Sequence, residues 1–200
     1  MIAILDYDMG NLRSVSKAVE HVGGTCAVTR DPKRAAKADK LILPGVGAFK
    51  DCMANLESYG LIEPIREFIA SGRPFLGICL GMQLLMDESE EGGRHKGLGI
   101  LPGKVLRFSP ELGLKVPHMG WNRLKLKGKP RLLEGMEGDY VYFVHSYYVA
   151  PEKKKAIAAV SDYGLEFAAS LESDNIFATQ FHPEKSQKVG LGLLKRFVKL

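Results

Sequence analysis

One of the three cysteines lies in a pattern that suits a nucleophile. Cys79 is flanked by glycines in the segment 77–81, GICLG, where the apolar run 75–78 gives way to the helix-like run 82–86. This G-x-nucleophile-x-G pattern is typical of a sharp turn from a strand into a helix, which lifts the side chain out of the sheet. The start of a helix favours the thiolate, which is the reactive form of cysteine. Cys79 is therefore a candidate nucleophile, with a buried structural cysteine as the alternative.

A cysteine nucleophile needs a base, and His182 is the best candidate among the five histidines. It follows an apolar run at 177–181, and Glu184 comes two residues later. In an extended segment those two side chains point the same way, so the carboxylate can orient the imidazole. A surface pair is the usual explanation of His-x-Glu alone, but with the elbow at Cys79 the pattern predicts a triad. The other histidines lack such a neighbour: His21, His95, His118 and His145.

Acyl transfer also needs hydrogen-bond donors for the oxyanion. One is the backbone N–H of Leu80, the residue after the nucleophile. The other is expected from a Gly-rich loop after a neighbouring strand, and the segment 44–47, PGVG, follows the apolar run 40–43 in that way. This segment lacks the Gly-Lys-Ser/Thr of a phosphate-binding loop. A simple turn is the alternative.

Strands that alternate with helices must position these residues. Short apolar runs occur at 2–5, 26–29, 40–43 and 75–78, and amphipathic segments at 12–22, 49–56 and 61–70 lie between them, with a further helix opening at Asp31-Pro32. From about residue 97, frequent Gly and Pro and the alternating run 140–149 indicate smaller antiparallel strands. The chain then returns to a strand at 176–180 and a helix at 187–198.

We therefore predict an α/β fold with a mostly parallel central sheet, helices on both faces and extra antiparallel strands. No repeat, low-complexity tract or linker divides the chain, so residues 1–200 are expected to form one domain.

The composition excludes several classes of protein. The 28 basic and 23 acidic residues leave a charge of +5, but the basic residues are scattered, so binding of nucleic acid gains little support. The mild positive field suits an anionic substrate or an acidic partner, with a solvated surface as the alternative. Cys26, Cys52 and Cys79 lack disulfide or metal spacing, which favours a reducing cytoplasm. No leader and no run of about 20 apolar residues is found, so neither secretion nor membrane insertion is expected.

Together the motifs resemble one family, the class I, triad-type glutamine amidotransferases. The resemblance rests on PGVG at 44–47, GICLGMQ at 77–83 and QFHPEKS at 180–186, and it runs from about residue 2 to residue 199. Within the family, DYDMGNL at 6–12 and PHMGWN at 117–122 are similar to the histidine-biosynthetic branch. That branch often has glycine where this chain has Asp8, which lies outside the triad.

The resemblance implies a glutaminase. Cys79 would attack the side-chain amide of glutamine, forming a glutamyl thioester and releasing ammonia, and water would then hydrolyse the thioester. His182 would act as base and then acid, and Glu184 would orient it. The resemblance further implies an oxyanion hole from the backbone of Val46 and Leu80, and glutamine-binding residues Gly45, Gln83 and Glu91. Glu91 also belongs to the acidic run 87–91 and can be read as one more surface acid.

A partner is implied as well. In this branch the ammonia passes to a (β/α)8-barrel cyclase subunit, which converts a phosphorylated ribonucleotide into imidazole glycerol phosphate and an aminoimidazole carboxamide ribotide. The segment 145–148 is implied to lie near the glutamine pocket and the interface. No cofactor and no metal are implied for this chain. The residues implied to lie against the partner are Pro117, His118, Met119, Gly120, Trp121 and Asn122.

Three alternatives stay open. The same chemistry can serve anthranilate, GMP or pyridoxal phosphate synthesis, against which the segments 6–12 and 117–122 argue. A cysteine hydrolase or peptidase can use the same elbow. A binding module with a decayed site is the third, and the intact set Cys79, His182 and Glu184 argues against it.

Overall fold

The computed structural model describes residues 1–200, except for the side chain of Leu112. The α-helices are α1 (Leu12–His21), α2 (Pro32–Ala36), α3 (Phe49–Ser58), α4 (Ile62–Ala70), α5 (Leu80–Gln83) and α6 (Gln187–Lys199). The strands are β1 (Ile2–Leu5), β2 (Cys26–Thr29), β3 (Lys40–Gly45), β4 (Phe75–Cys79), β5 (Glu88–Ser89), β6 (His95–Lys96), β7 (Gly103–Arg107), β8 (His118–Arg123), β9 (Lys125–Leu126), β10 (Tyr140–His145), β11 (Tyr147–Pro151), β12 (Ile157–Asp162), β13 (Glu166–Ser173) and β14 (Ile176–Thr179). Short 3-10 helices cover Pro110–Leu112, Lys154–Ala156 and Pro183–Lys185.

The central sheet has eight strands in the order β2-β1-β3-β4-β14-β13-β12-β9. The first five run parallel, and β13, β12 and β9 continue the sheet antiparallel. Every residue of β1 and β4 is buried, as expected for strands that are covered on both faces. The predicted α/β fold with a mostly parallel sheet and added antiparallel strands is confirmed.

Helices cover both faces because successive side chains of each strand point into two different cores. Ala3 and Leu5 share a core with α2, α3 and α4, whereas Ile4 shares the other core with α1 and α6. Large side chains such as Phe68 and Phe197 are almost fully buried in these cores. Each such side chain contributes about 1.5–3 kcal/mol to stability by leaving water. The two cores hold the sheet, and therefore its edge loops, in place.

The predicted elements of the first half agree closely with the structure. The bounds of β1 and β2 are those predicted, and Asp31 caps α2 by accepting a 2.9 Å hydrogen bond from the N–H of Lys33. Several boundaries differ, and two of these differences lie beside Cys79. β3 continues through Gly45, and the helix expected at 82–86 is the short α5, which ends at Gln83.

Two smaller sheets lie beside the central one. They have the orders β11-β7-β5-β6 and β10-β8. In the second, Trp121 lies opposite Tyr142, and Met119 lies opposite Val144. None of the helices in the described part of the chain is long and apolar enough to cross a membrane.

Candidate active site

The carboxyl ends of three adjacent parallel strands bring the candidate residues together. β4 lies between β3 and β14, so Cys79 at the end of β4 has Gly45 as its partner on β3. The chain leaves β14 at Thr179 and reaches His182 shortly afterwards. This edge is where open α/β sheets bind ligands. The sheet order therefore explains how residues far apart in sequence meet.

The backbone at Cys79 has the geometry of a nucleophile elbow. Its φ of 55° and ψ of −108° are strained for a residue with a side chain, at a cost of about 1–3 kcal/mol. Both flanking glycines are needed because the turn is so tight. A Cβ on Gly81 would lie 1.9 Å from the carbonyl oxygen of Leu43, and one on Gly77 would lie 2.6 Å from that of Gly81. The elbow predicted from the sequence is present.

The helix after the elbow is shorter than predicted. α5 has four residues, so its dipole gives the Cys79 sulfur less support than a longer helix would. The charged form of the sulfur therefore depends more strongly on neighbouring side chains.

His182 and Glu184 form a buried pair. Nδ1 of His182 donates a hydrogen bond of 2.8 Å to Oε1 of Glu184, and both side chains are almost fully buried. The contact is the expected one, but the backbone is extended only at His182 itself, because Glu184 belongs to the 3-10 helix Pro183–Lys185. The bond fixes the proton on Nδ1 when the ring is neutral. Nε2 is buried without a hydrogen-bond partner among the described residues, which leaves it available to the thiol.

The environment of His182 favours its charged form. Burial by itself would lower its pKa, but the neighbouring Cys79 sulfur and the Glu184 carboxylate together raise the pKa to about 10. Opposite charges that close together stabilise one another strongly in a buried site. The pair of Cys79 and His182 is therefore suited to hold a thiolate beside an imidazolium.

The two expected oxyanion donors differ in their availability. Leu80 is the first residue of α5, so its N–H has no acceptor inside the helix. The N–H of Val46, in contrast, donates to the carbonyl oxygen of Met9 at 3.0 Å. The carbonyl of Val46 accepts a 3.6 Å hydrogen bond from the thiol of Cys52. In this conformation Val46 offers no N–H to a ligand of Cys79.

Asp8, in the loop that carries Met9, has a φ of 64°. This left-handed conformation favours glycine, which accounts for the glycine often found at this position in the branch that the chain resembles. Asp is one of the residues that tolerate it. Its carboxylate accepts a 2.9 Å hydrogen bond from Arg30 and also bonds the hydroxyl of Tyr59. The departure is therefore accommodated by local contacts.

A cavity of about 290 Å³ opens above Cys79. Six of the predicted site residues line it, namely Cys79, His182, Val46, Leu80, Gln83 and Glu91. Gly45 lies behind it. A Cβ there would be 2.7 Å from the Tyr7 hydroxyl and 2.9 Å from the Cβ of Leu80, so packing alone requires glycine at this position.

Two of the lining residues are held by the protein itself. Nε2 of Gln83 donates to the carbonyl of Tyr147 at 3.1 Å and to Oε1 of Gln180 at 3.0 Å. One oxygen of Glu91 accepts a 2.7 Å hydrogen bond from the N–H of Phe49, the first residue of α3. Glu91 thus supports a helix N-terminus as well as the cavity wall.

The segment predicted to face a partner divides into two sets. Met119 and Trp121 are 56% and 47% exposed, on the outer face of β8. Pro117 lines the cavity, and His118 is buried. Gly120 and Asn122 are half-buried. Met119 lies opposite Val144, which lines the cavity, so this exposed apolar side chain is close to the cavity.

The buried His118 belongs to a hydrogen-bonded chain. Nδ1 of His118 meets Nε2 of His145 at 2.9 Å, and Nδ1 of His145 meets the carbonyl of Tyr147 at 2.8 Å. A carbonyl only accepts, so His145 donates from Nδ1 and accepts from His118. On the other side, Asn122 donates to Nε2 of His118 at 3.2 Å. Burial lowers the pKa of His118 to about 4 and that of His145 to about 3, so both are neutral at pH 7.

Sequence reasoning gave no role to several residues around the sulfur. Gln180 is fully buried, and its Nε2 lies 3.7 Å from Sγ of Cys79. The Tyr7 hydroxyl donates to the carbonyl of Pro44 at 2.6 Å, and Cys52 bonds Val46 as described. Gln180 lies inside the motif 180–186, but nothing in its spacing points to the sulfur. Residues 144–147 line the cavity, whereas the resemblance implied a position near it for 145–148; Tyr148 is not among the lining residues.

The whole chain is similar to known proteins in sequence and in fold. The family described as glutamine amidotransferase class-I matches residues 3–200. A protein of Syntrophotalea carbinolica named imidazole glycerol phosphate synthase subunit HisH is 57% identical, covering 98% of each chain. The HisH subunit of Geobacter sulfurreducens is also 57% identical, covering 98% of this chain and 97% of its own. A crystal structure of a glutamine amidotransferase shares the fold, with a TM-score of 0.77 at 18% identity over 100% of this chain and 99% of its own.

Proposed function

Because this chain belongs to the class-I glutamine amidotransferase family, we propose that it hydrolyses glutamine to glutamate and ammonia as the HisH-type subunit of imidazole glycerol phosphate synthase. The main support for this proposal is the 57% identity to two HisH subunits, over almost the full length of this chain and of each relative. The ammonia serves a cyclase subunit, which forms imidazole glycerol phosphate and an aminoimidazole carboxamide ribotide in histidine biosynthesis.

The reaction begins with proton transfer from Cys79 to His182. Nε2 of His182 takes the proton, and the raised pKa of that ring supports the resulting ion pair. The thiolate attacks the side-chain amide carbon of glutamine, and the C–N bond breaks as His182 returns the proton to the leaving nitrogen. Ammonia leaves, and a glutamyl thioester remains on Cys79.

Hydrolysis of the thioester completes the cycle. Water gives a proton to Nε2 of His182 and attacks the thioester carbon, and the C–S bond breaks to release glutamate. The proton on His182 restores the thiol or is shared with the thiolate. Glu184 keeps the ring oriented throughout, because it holds Nδ1 at 2.8 Å.

Both tetrahedral intermediates carry a negative oxygen that needs donors. Leu80 gives one N–H, and its place as the first residue of α5, where the N–H has no acceptor inside the helix, supports this role. Val46 can give the second only after its N–H leaves the carbonyl of Met9. We propose that this exchange switches the site on.

The glutamine lies in the cavity over Cys79, beside Gln83 and Glu91. The carboxylate of Glu91 is suited to the substrate's α-ammonium group. Gly45 contributes by leaving room for Leu80 and the Tyr7 hydroxyl behind the pocket.

The cyclase docks on the face that carries Met119 and Trp121. Exposed apolar side chains of this size are typical of interfaces, and Met119 lies opposite Val144, which lines the cavity. Docking there lets ammonia pass between the subunits without meeting bulk water.

We further propose that residues 1–200 act as one domain and that the protein works in the cytoplasm. The three free cysteines support the cytoplasmic location.

Reconstitution with the barrel cyclase tests the proposal. The complex should make imidazole glycerol phosphate from glutamine or from added ammonium salt. The Cys79→Ala variant should lose the glutamine-dependent reaction and keep the ammonium-dependent one, because the cyclase needs only free ammonia. Full glutamine-dependent turnover by this variant, or no complex with the cyclase, would sink the assignment.

A further inference from the structure

We propose that Gln180 is a further residue of the reacting site, whose side-chain amide donates a hydrogen bond to the Cys79 sulfur and stabilises the thiolate. The inference rests on the proposed function, in which Cys79 is the nucleophile. Nε2 of Gln180 lies 3.7 Å from Sγ, and the side chain is fully buried. A buried amide aimed at a sulfur is a specific contact, because an N–H without an acceptor in such a place is costly.

The surrounding hydrogen bonds fix which end of the Gln180 amide faces the sulfur. The carbonyl oxygen of Tyr147 can only accept, so the atom of Gln83 that approaches it at 3.1 Å must be the nitrogen. The same nitrogen lies 3.0 Å from Gln180, so the Gln180 atom there must be the oxygen. The NH2 group of Gln180 therefore faces Cys79. The orientation follows from a backbone carbonyl and does not depend on distinguishing nitrogen from oxygen in either side chain.

The Tyr147 carbonyl is itself firmly placed. It also accepts the 2.8 Å hydrogen bond from Nδ1 of His145. The Tyr147 carbonyl therefore accepts hydrogen bonds from both His145 and Gln83. The amide nitrogen of Gln83 also donates to Gln180, whose own amide nitrogen faces the Cys79 sulfur. The result is a buried, directed chain of hydrogen bonds that ends on the nucleophile.

The chemistry needs such a donor because the sulfur gains charge when His182 takes its proton. Hydrogen bonds to a charged acceptor are about twice as strong as those between neutral groups, so the Gln180 N–H favours the thiolate over the thiol. An amide is uncharged and does not titrate, so it holds the sulfur without competing for the proton. The short α5 makes this contribution more important.

Several ionisable groups surround the sulfur and must be considered in any pH experiment. His182, with Glu184 behind it, is the proton acceptor. The others face the cavity or lie behind the elbow, and they are Glu91, His145, Tyr147, Tyr7 and Cys52. None of these side chains is hydrogen-bonded to Gln180, so a substitution of Gln180 removes none of their hydrogen bonds.

Alkylation of Cys79 by iodoacetamide tests the inference, because only the thiolate reacts. The rate is followed across pH by mass spectrometry of the peptide that contains Cys79, in the full chain and in its complex with the cyclase. Gln180→Glu keeps the size and the oxygen that accepts from Gln83, but it replaces the donor by an acid. Gln180→Met removes both contacts. Each should raise the pH of half-maximal alkylation by about one unit, so that well below that pH alkylation is about tenfold slower than in the wild type.

Ser170→Ala is the matched control. It removes another buried hydrogen bond of the same sheet, 2.7 Å from the Ser170 hydroxyl to the carbonyl of Ala178, without contact with the sulfur. Its alkylation profile should equal that of the wild type. An unchanged profile in folded Gln180→Glu, or an equal shift in Ser170→Ala, would overturn the inference.

The outcome is separate from that of the proposed function, because alkylation requires neither glutamine nor turnover. If Cys79→Ala keeps glutaminase activity, the proposed function fails. If Cys79→Ala loses glutaminase activity but Gln180→Glu has the alkylation profile of the wild type, only the role of Gln180 fails.

Discussion

The backbone N–H of Val46 donates a 3.0 Å hydrogen bond to the carbonyl oxygen of Met9. The carbonyl groups of the two neighbouring peptides are each fixed by a hydrogen bond. The Tyr7 hydroxyl donates to the carbonyl of Pro44, and the Cys52 thiol donates to the carbonyl of Val46. The peptide between Gly45 and Val46 can therefore turn while its neighbours stay in place. In the proposed mechanism, that single turn decides whether the oxyanion has one donor or two.

We expect the isolated chain to be a poor glutaminase for this reason. Loss of one oxyanion donor lowers the rate roughly 10²–10³-fold, so partner plus nucleotide ligand should raise glutamine turnover at least about tenfold. Glutamine hydrolysis is measured for the chain alone, with the cyclase, and with the cyclase and its nucleotide. Three equal rates would rule out gating by the partner.

The triad predicts an order of damage. His182→Ala should be nearly as harmful as Cys79→Ala, because the base is lost, whereas Glu184→Ala should be milder, because an imidazole remains. Steady-state glutamine hydrolysis by the active complex gives the order. Wild-type activity of His182→Ala at saturating glutamine would reject His182 as the base.

The same pair predicts a shift in pH dependence. Burial lowers the pKa of His182, and Cys79 and Glu184 raise it to about 10, so the wild-type complex should lose activity only as the pH rises towards that value. Glu184→Gln removes one of the charges that raise this pKa, so the alkaline limb should move to lower pH. The profile of kcat/KM against pH measures the position of the alkaline limb in both proteins. An alkaline limb that stays in place would show that Glu184 does not tune the ring.

The other two cysteines should tolerate serine. Burial raises the pKa of Cys52 to about 12, so it stays a thiol, and a serine hydroxyl can also donate to the Val46 carbonyl. Cys26 lies away from the cavity. Cys26→Ser and Cys52→Ser should keep most glutamine-dependent activity. A loss in either that equals the loss in Cys79→Ala would mean that the nucleophile is misassigned.

His118 and His145 should make stability depend on pH. Burial lowers the pKa of His118 to about 4 and that of His145 to about 3, whereas the pKa of a histidine in the unfolded chain is about 6.5. Between those values the unfolded state binds more protons, so the free energy of unfolding falls as the pH is lowered. For the buried His145 the loss is about 1.4 kcal/mol per pH unit.

Urea unfolding at pH 5 and pH 6.5 measures this dependence. The double variant His118→Phe, His145→Phe should show a flatter change than the wild type, while His21→Gln, on the surface, should not. Parallel pH dependence in the wild type and the double variant would contradict the prediction.

Trp121 should be important for docking. It is 47% exposed on the outer face of β8, and a large aromatic side chain is often a centre of binding energy. Trp121→Ala should weaken the complex about tenfold or more in Kd and leave the melting temperature of the free chain nearly unchanged. Titration calorimetry measures it, with Val28→Ala, a 40% exposed residue on β2, as control. Equal Kd values for both variants would move the interface elsewhere.

The sequence allowed the fold, the elbow at Cys79 and the contact between His182 and Glu184 to be predicted, because their signals are local. Apolar runs mark β1 and β4, and the glycines around Cys79 mark the elbow. The contacts of Gln180 with Cys79 and of Val46 with Met9 carry no such signal, because each depends on how separate strands and loops pack. The short α5 and the 3-10 turn after His182 were missed because their sequences are compatible with longer regular elements. The role of β8 came only from the family resemblance.

The position of β14 has a consequence for protein synthesis. β4 pairs with β14 in the middle of the sheet, with Phe75 beside Ile176. A nascent chain that has not reached residue 176, or one terminated before it, contains Cys79 but lacks His182, Glu184 and Gln180. It also exposes β4 as an unpaired apolar edge, which favours aggregation. Interrupted translation should therefore yield an inactive fragment that proteases degrade, and not a glutaminase that acts without its partner. A soluble fragment 1–175 that hydrolyses glutamine would disprove this.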